Sequence, residues 1–330
     1  MNLAIGKLGM GCATLGDLWE VTPDAQAIAT VDAAYEAGIR LFDTAPWYGM
    51  GKSELRLGSA IRHRKDAVIA TKVGRVLHRG GAFLRHGVRG DWASKWKGGL
   101  PFDLRFDYTY AGVMRSFEDS LQRLGMPRVD ALAIHDLDLL YHQTWDAVEA
   151  RFDELDGGGG HRALRELRDT GGTMWIGAGI NRTGLIPKFL DRFELDYFLV
   201  AMPYTLLSQE GLGELDLCHA KGVRVIIGAP FASGMLADPV SNSTYDYAPG
   251  SDEVRRKAAQ LNACCARHRV ALPAAALQFV LKHPAVASVI PGPNSAAQAR
   301  QCVEYIQQPI PAALWAGLKA EGLIDAEAPV

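Results

Sequence analysis

Eight short apolar runs alternate with amphipathic stretches along the whole chain, and this alternation restricts the fold more than any other feature of the sequence. The runs have the apolar, strand-like composition of buried strands, and the stretches between them place apolar residues at helical spacing. The runs cover residues 8–15, 39–44, 67–73, 129–136, 174–179, 196–201, 223–230 and 286–292. Eight consecutive strand–helix units predict an α/β fold, a (β/α)8 TIM barrel that occupies residues 1–330 as a single domain.

Two long segments interrupt this alternation, and both follow predicted strands. Residues 77–107 come after the third strand and residues 237–252 after the seventh, and both segments are polar and contain aromatic residues. Loops that follow the strands of such a barrel surround its active site. We therefore expect these loops to form walls of the site, the alternative being surface loops without substrate contact.

The charge balance and the cysteines exclude several classes of protein. Lysine and arginine total 35 and aspartate and glutamate total 37, a net charge of −2 that gives no reason to expect nucleic-acid or membrane partners. The five cysteines form no CxxC pair, and their odd number fits reduced thiols better than disulfides. No apolar run approaches the roughly 20 residues of a membrane span. The sequence predicts a cytoplasmic protein without a metal site.

Three ionisable residues end neighbouring predicted strands. Asp43 ends the second strand, Lys72 the third and His135 the fourth, while Tyr48 lies in the loop after the second strand. Adjacent strands of a barrel bring their carboxyl ends to one rim, so these four side chains should converge. Each of them alone would be an ordinary structural residue, but four at adjacent strand ends predict a catalytic site.

The four residue types suit proton transfer. A free tyrosine has a pKa of about 10, and we expect the nearby Lys72 ammonium to lower the pKa of Tyr48. Asp43 would hold that ammonium, and His135 would bind the substrate oxygen. Such a group moves a proton between an alcohol and a carbonyl oxygen. Because no side chain carries hydride, the chemistry implies a nicotinamide cofactor.

The motifs around these residues resemble those of the aldo-keto reductase superfamily. They are "GIRLFDTAPWYGMGKSELRLGSAI", "VIATKVG" and "RVDALAIHD", and the resemblance extends over nearly the whole chain. It implies that Asp43, Tyr48, Lys72 and His135 are catalytic. The segments "FDYTYAGVMRSFEDSLQRLG", "FASGMLAD" and "STYDYAPGS" are similar to the bacterial sugar-dehydrogenase branch. That branch implies oxidation of an aldose of the L-fucose, L-galactose or D-threo-aldose type at C1 to the lactone. Pyridoxal 4-dehydrogenation or general aldehyde reduction is the alternative.

The resemblance also implies the cofactor contacts. They are Asn181, Pro230, Phe231, Ser233, Gly234, Pro291, Gly292, Asn294, Gln298, Gln301 and Cys302. Loops with free backbone amides and a helix start suit phosphate groups. The chain departs from the superfamily at positions that usually contact the nicotinamide. Asn181 lies one position later than the usual asparagine. Ala201 stands where a glutamine is common, and Gly228 stands where an aromatic residue is common.

The same alignment predicts that NAD is preferred over NADP. Gly292 and Gln298 are uncharged where NADPH-dependent members carry cations, and a 2′-phosphate carries roughly two negative charges. A phosphate without a cation loses affinity because it is partly desolvated and unpaired. Arg300 lies two places past Gln298, which turns it about 200° around a helix.

Aromatic residues near the site are the predicted substrate contacts for a small sugar or aldehyde. They are Trp47, Trp92, Trp96, Tyr245 and Tyr247. Two other functions stay open. Lys72 could form a Schiff base in an aldolase barrel, although that would not explain the phosphate-type loops. The chain could also bind a nicotinamide nucleotide as a sensor, although the complete set of four residues argues against this.

Overall fold

The computed structural model describes residues 5–79, 95–241 and 244–330. In chain order the strands are β1 (Met10–Gly11), β2 (Leu41–Asp43), β3 (Val68–Val73), β4 (Arg75–Arg79), β5 (Phe102–Phe106), β6 (Ala131–His135), β7 (Trp175–Ile180), β8 (Tyr197–Ala201), β9 (Arg224–Gly228), β10 (Thr244–Tyr245), β11 (Ala248–Pro249) and β12 (Val286–Ile290). The helices are α1 (Asp24–Glu36), α2 (Lys52–Ile61), α3 (Tyr110–Leu124), α4 (Leu139–His142), α5 (Trp145–Gly157), α6 (Gly160–Asp169), α7 (Leu185–Arg192), α8 (Leu212–Lys221), α9 (Asp252–Arg267), α10 (Leu272–Val280), α11 (Ala296–Gln307) and α12 (Ala312–Ala320).

Eight parallel strands form the predicted barrel. Their order is β1-β2-β3-β6-β7-β8-β9-β12. The sheet closes because the Gly9 amide donates to the Val289 carbonyl at 2.9 Å and the Gly11 amide donates to the Pro291 carbonyl at 2.8 Å. The predicted (β/α)8 fold is therefore confirmed, with helices packed around the strands.

The first predicted strand is shorter than expected. Of residues 8–15 only Met10–Gly11 is a strand, and Ala13–Gly16 forms a 3₁₀ turn. Glycines weaken a strand because they have no side chain to pack, and Gly9 and Gly11 interrupt this run. The turn folds back over the barrel rim, where it meets the candidate site.

Both interrupting segments contain antiparallel hairpins that the sequence did not predict. In the first, β4 pairs with β5 from Arg75↔Phe106 to Arg79↔Phe102. In the second, β10 and β11 flank Asp246 and Tyr247, which have φ angles of 47° and 61°. Positive φ at both central residues matches the type I′ turns that join hairpin strands. The predicted substrate contact Trp92 lies outside the described residues.

Side-chain alternation along the strands decides which residues point into the barrel. Its interior is filled by a cluster of mainly apolar side chains: Leu41, Ala70, Ala131, Ala133, Trp175, Tyr197, Leu199, Ile226 and Ile290. Strand side chains alternate with a period of two. Asp43, Lys72 and His135 each lie two residues beyond a member of this cluster, so they also point inward, at the carboxyl end.

Gly58 allows α2 and α3 to pack closely. A Cβ atom on Gly58 would lie 2.2 Å from the Leu124 carbonyl oxygen, which backbone cannot accommodate. We expect Gly58→Ala to destabilise the fold by about 1–3 kcal/mol, as overpacked sites do. The control is Gly213→Ala in α8, where a Cβ atom meets no described atom within 4 Å. It should be neutral or stabilising by up to about 1 kcal/mol. Urea unfolding of both variants checks this, and equal midpoints would contradict it.

None of the helices in the described ranges is both long and apolar enough to cross a membrane.

Candidate active site

The predicted catalytic residues meet at the carboxyl rim of the barrel. Asp43 ends β2, Lys72 is the penultimate residue of β3 and His135 ends β6. Tyr48 lies in the turn after β2. Gly49 holds that turn against the 3₁₀ turn, because it has a φ of 64° and a Cβ atom there would lie 2.4 Å from the Gly16 carbonyl oxygen. Only glycine fits such a conformation and such an approach without strain.

Lys72 links these side chains by three hydrogen bonds. Its Nζ donates to Asp43 Oδ2 at 2.6 Å, to the Thr44 carbonyl at 2.8 Å and to the Tyr48 hydroxyl at 3.0 Å. Lys72 is 1% exposed and Asp43 is 3% exposed. An ammonium has three donors, so all of them are used, and Asp43 compensates the buried charge.

The pKa of Tyr48 differs from the prediction. Burial raises this pKa well above its ordinary value, Asp43 and Asp136 add to the increase, and Arg75 opposes it. The net pKa shift of Tyr48 is therefore opposite to the one expected from Lys72 alone. The reason is that Asp43 offsets the Lys72 charge, while desolvation disfavours the phenolate. The raised pKa keeps the hydroxyl of Tyr48 protonated near neutral pH.

His135 lies beside Tyr48 as a neutral imidazole. The two ring centroids are 5.9 Å apart and the rings are nearly perpendicular. Burial lowers the pKa of His135 well below its ordinary value, and the nearby Arg75 and Lys72 cations lower it further. Its Nε2 lies 3.1 Å from Asp136 Oδ2. This contact favours the tautomer with a hydrogen on Nε2. A neutral imidazole has no second N–H, so an oxygen bound by His135 would share that hydrogen with Asp136.

A small cavity of about 80 Å³ opens beside Tyr48 and His135. Three predicted substrate contacts line it, namely Trp47, Trp96 and Tyr247, whereas Tyr245 does not. Sequence reasoning missed several other wall residues: Leu18, Lys95, Asp136, Tyr141 and Leu199. The available indication was position, since Asp136 directly follows a barrel strand.

The rings around the cavity pack against one another. Trp96 lies with its ring centroid 5.7 Å from both Trp47 and Tyr48. The segment that carries Trp96 is held at the rim because the Trp19 amide donates to the Lys95 carbonyl at 2.8 Å. Aromatic walls of this kind suit a sugar ring or a pyridine ring.

A larger cleft of about 500 Å³ shares Tyr48 with the small cavity and extends toward α11. Most predicted cofactor contacts line it: Pro230, Phe231, Ser233, Gly234, Gly292, Gln298, Gln301 and Cys302. Pro291 and Asn294 are not on its wall, and Asn181 lines the small cavity instead. Sequence reasoning missed Gly11, Thr14, Trp19 and Tyr305.

The cleft fits a dinucleotide in size and in chemistry. Its volume falls within the roughly 300–1,000 Å³ of ligand sites. Gly228 lines the cleft together with Tyr48, and a Cβ atom on Gly228 would lie 3.1 Å from the Leu199 side chain. At the other end α11 begins at Ala296. The Gln298 amide donates to the Ser295 Oγ cap at 3.3 Å, and the amides of Ala296 and Ala297 have no partners within the helix. Such a helix start binds phosphate groups.

The described cleft wall contains neither lysine nor arginine. Gln298 lies on the wall, and its Oε1 accepts a hydrogen bond from the Asn294 amide at 2.9 Å. Arg300 is exposed and points elsewhere, because it donates to the Ala296 carbonyl at 3.4 Å. Glu20 accepts from the Asn294 side chain, which places a carboxylate at this end. The described residues also contain no cluster of His, Cys, Asp and Glu that could hold a metal.

Comparison with known proteins agrees with this geometry. The model of the aldo/keto reductase family matches residues 7–320. The chain is 41% identical to pyridoxal 4-dehydrogenase from Microbacterium luteolum and 36% identical to D-threo-aldose 1-dehydrogenase from a Pseudomonas species. Each alignment covers 98% of this chain and 96% of the relative. The fold resembles an aldo-keto reductase from Bacillus halodurans in its holo form, with a TM-score of 0.75, 23% identity and coverage of 98% of this chain and 94% of that one.

Proposed function

Because the chain belongs to the aldo/keto reductase family, we propose that it is a NAD-dependent dehydrogenase that oxidises C1 of an aldose to the lactone. The sugar is of the L-fucose, L-galactose or D-threo-aldose type. The observation that carries this proposal is the hydrogen bond between Lys72 and Tyr48, at the place where the small cavity meets the cleft. The Pseudomonas relative, named for a D-threo-aldose, supports the substrate class.

The reaction removes a proton and a hydride from the substrate. In the cyclic form of an aldose, the C1 hydroxyl loses its proton to Tyr48 while the hydrogen on C1 leaves with its electron pair. A carbonyl bond then forms at C1 and gives the lactone. His135 binds the reacting oxygen, and Lys72 stabilises the phenolate that must accept the proton. A nicotinamide cofactor, when bound, supplies the hydride acceptor and, in its oxidised form, a positive charge.

The residues that would hold the cofactor follow from the cleft. Ser233, Gly234 and the start of α11 would hold its phosphates, and Gln298 and Gln301 its adenosine end. Asn181 has both amide hydrogens engaged, because its Nδ2 donates to Asp136 at 2.8 Å and to Asp138 at 2.9 Å. Its carbonyl oxygen remains as the acceptor for the carboxamide.

We expect kcat/KM to be about 10- to 100-fold higher with NAD than with NADP, because a 2′-phosphate would lack a charged hydrogen-bond partner. Gln298→Arg should shift the ratio toward NADP, since a guanidinium pairs with phosphate through two parallel hydrogen bonds. Arg300→Gln is the control on another face of α11 and should leave the ratio unchanged. Steady-state kinetics with both cofactors measures this. An equal or higher value for NADP in the natural chain would show that the proposal is wrong.

Oxidation should become faster as the pH rises. Tyr48 must lose its own proton before it can accept one, and its raised pKa keeps it protonated near neutrality. The kcat for oxidation should therefore rise with pH until the phenol ionises. Reduction uses the protonated phenol, so its kcat should stay level and fall only above that pKa. Rates in both directions between about pH 6 and pH 10 test this, and an oxidation rate that falls with pH would contradict it.

Pyridoxal is the second candidate substrate. It is favoured by the 41% identity to a pyridoxal 4-dehydrogenase and by aromatic walls that suit a pyridine ring. A kinetic panel of aldoses and pyridoxal distinguishes the two candidates.

The aldolase alternative is disfavoured by the hydrogen bonds of Lys72. All three of its ammonium hydrogens are donated, which leaves no lone pair for attack on a carbonyl. Borohydride trapping of a carbonyl substrate on Lys72 would favour the aldolase over the dehydrogenase.

A further inference from the structure

Asp136 has a left-handed backbone conformation, which aspartate adopts more readily than most residues other than glycine. It directly follows β6 and has a φ of 51°, and residues other than glycine seldom adopt positive φ angles. Such strain is concentrated at functional sites. The side chain reaches the wall of the small cavity, which Asp136 lines together with Tyr48 and His135. The family motif assigned no role to this residue.

Arg75, His135 and Asn181 contact the Asp136 carboxylate. Oδ2 accepts a hydrogen bond from Arg75 and lies 3.1 Å from His135 Nε2. Oδ1 accepts from Asn181 Nδ2 at 2.8 Å. A carboxylate has about four acceptor sites, so these contacts leave at least one of them for a ligand.

Arg75, which pairs with this carboxylate, is fully buried among aromatic rings. It is 0% exposed, and its guanidinium lies 4.1 Å from the ring centroid of Tyr141, 4.7 Å from Phe106 and 4.8 Å from Trp47. A buried ion pair adds little net stability compared with apolar residues of similar volume. A fixed ion pair at a cavity wall is therefore better explained by a role in substrate binding than by a contribution to folding stability.

The position of the carboxylate relative to the reacting oxygen suggests what it binds. His135 would hold that oxygen, and Asp136 Oδ2 lies one hydrogen-bond length from His135 Nε2. An acceptor in this place reaches a hydroxyl group on the carbon beside the reacting one. An aldose carries such a hydroxyl on C2. In pyridoxal the ring hydroxyl stands one carbon further away, on the ring carbon beside the one that bears the aldehyde group.

We propose that Asp136, held by Arg75 and Asn181, accepts a hydrogen bond from a hydroxyl group on the carbon next to the reacting carbon. The enzyme thereby selects aldehydes and hemiacetals that carry this neighbouring hydroxyl over those that lack it. The inference rests on the proposed function for the place of the reacting oxygen beside Tyr48 and His135.

Two matched substrate pairs test the inference. One pair is an oxidised aldose and its 2-deoxy analogue, and the other is lactaldehyde and propionaldehyde in the direction of reduction. A hydrogen bond to a charged group should make kcat/KM about 10- to 100-fold higher for the member that carries the hydroxyl. Asp136→Ala should bring this ratio close to one. The ratio within one preparation does not depend on how much of a variant is folded.

Asp138→Asn is the control variant. Asp138 also accepts from Asn181, but it does not line the small cavity, so the ratio should stay as in the natural chain. Equal kcat/KM values for both members of a pair in the natural chain would overturn the inference without any variant. A ratio that Asp136→Ala leaves unchanged would also overturn it. A preference for lactaldehyde in an enzyme that oxidises no aldose would instead overturn the proposed function and leave the role of Asp136 standing.

Discussion

Tyr48→Phe is expected to lower kcat by about 100- to 10,000-fold, the usual contribution of a general acid or base. The change removes only the hydroxyl that receives a hydrogen bond from Lys72 at 3.0 Å, and phenylalanine preserves the ring that packs near Trp96 and His135. Cofactor affinity should therefore stay nearly unchanged. Single-turnover rates and cofactor titration measure the two effects separately.

Tyr110→Phe provides the matched control for this substitution. Tyr110 lies at the start of α3 and donates to Glu166 at 2.8 Å, away from both cavities. The same chemical change there should leave kcat as it is. A loss of less than tenfold in Tyr48→Phe would remove Tyr48 from the role of proton acceptor and donor.

Lys72→Met is expected to lower both stability and activity. It leaves the Asp43 carboxylate buried without its ammonium partner, and breaking a buried pair in this way costs about 3–5 kcal/mol. It also removes the cation that stabilises the Tyr48 phenolate, so we expect a loss in kcat of roughly 100-fold. Urea unfolding and the dependence of kcat on pH measure the two losses.

The double variant Lys72→Met with Asp43→Asn separates stability from catalysis. An asparagine at position 43 carries no charge, so it should restore most of the lost stability. It should not restore kcat, since the phenolate still lacks a cation. Recovery of kcat in the double variant, or a pH profile of Lys72→Met that matches the natural chain, would contradict the catalytic role of Lys72.

The barrel and the convergence of Asp43, Lys72 and His135 could be predicted from the sequence because both depend on local patterns. Eight strand–helix units define the topology, and carboxyl ends of adjacent parallel strands meet at one rim. Helix ends also depend on a local pattern, because glycine enters the left-handed region at little cost. Gly38, Gly125 and Gly171, which follow α1, α3 and α6, have φ angles of 97°, 64° and 80°.

The rest of the site depends on contacts between distant segments. Arg75 and Asp136 are 61 positions apart, and no local pattern indicates that they pair. The raised pKa of Tyr48 is a sum over burial and several charges, whereas sequence reasoning considered Lys72 alone. The type I′ turn places Tyr247 on the cavity wall and leaves Tyr245 off it, a difference that composition does not show.

The most direct test of the proposed activity is the kcat/KM of the purified protein over a panel of aldoses, pyridoxal and simple aldehydes. Each reaction is followed with NAD and with NADP, and the product is identified chemically. The proposal predicts that an aldose gives reduced nicotinamide and lactone in equal amounts, and that NAD supports the higher kcat/KM. Activity confined to pyridoxal or simple aldehydes would contradict the aldose assignment. Tight cofactor binding without turnover of any substrate in the panel would contradict the assignment as an enzyme.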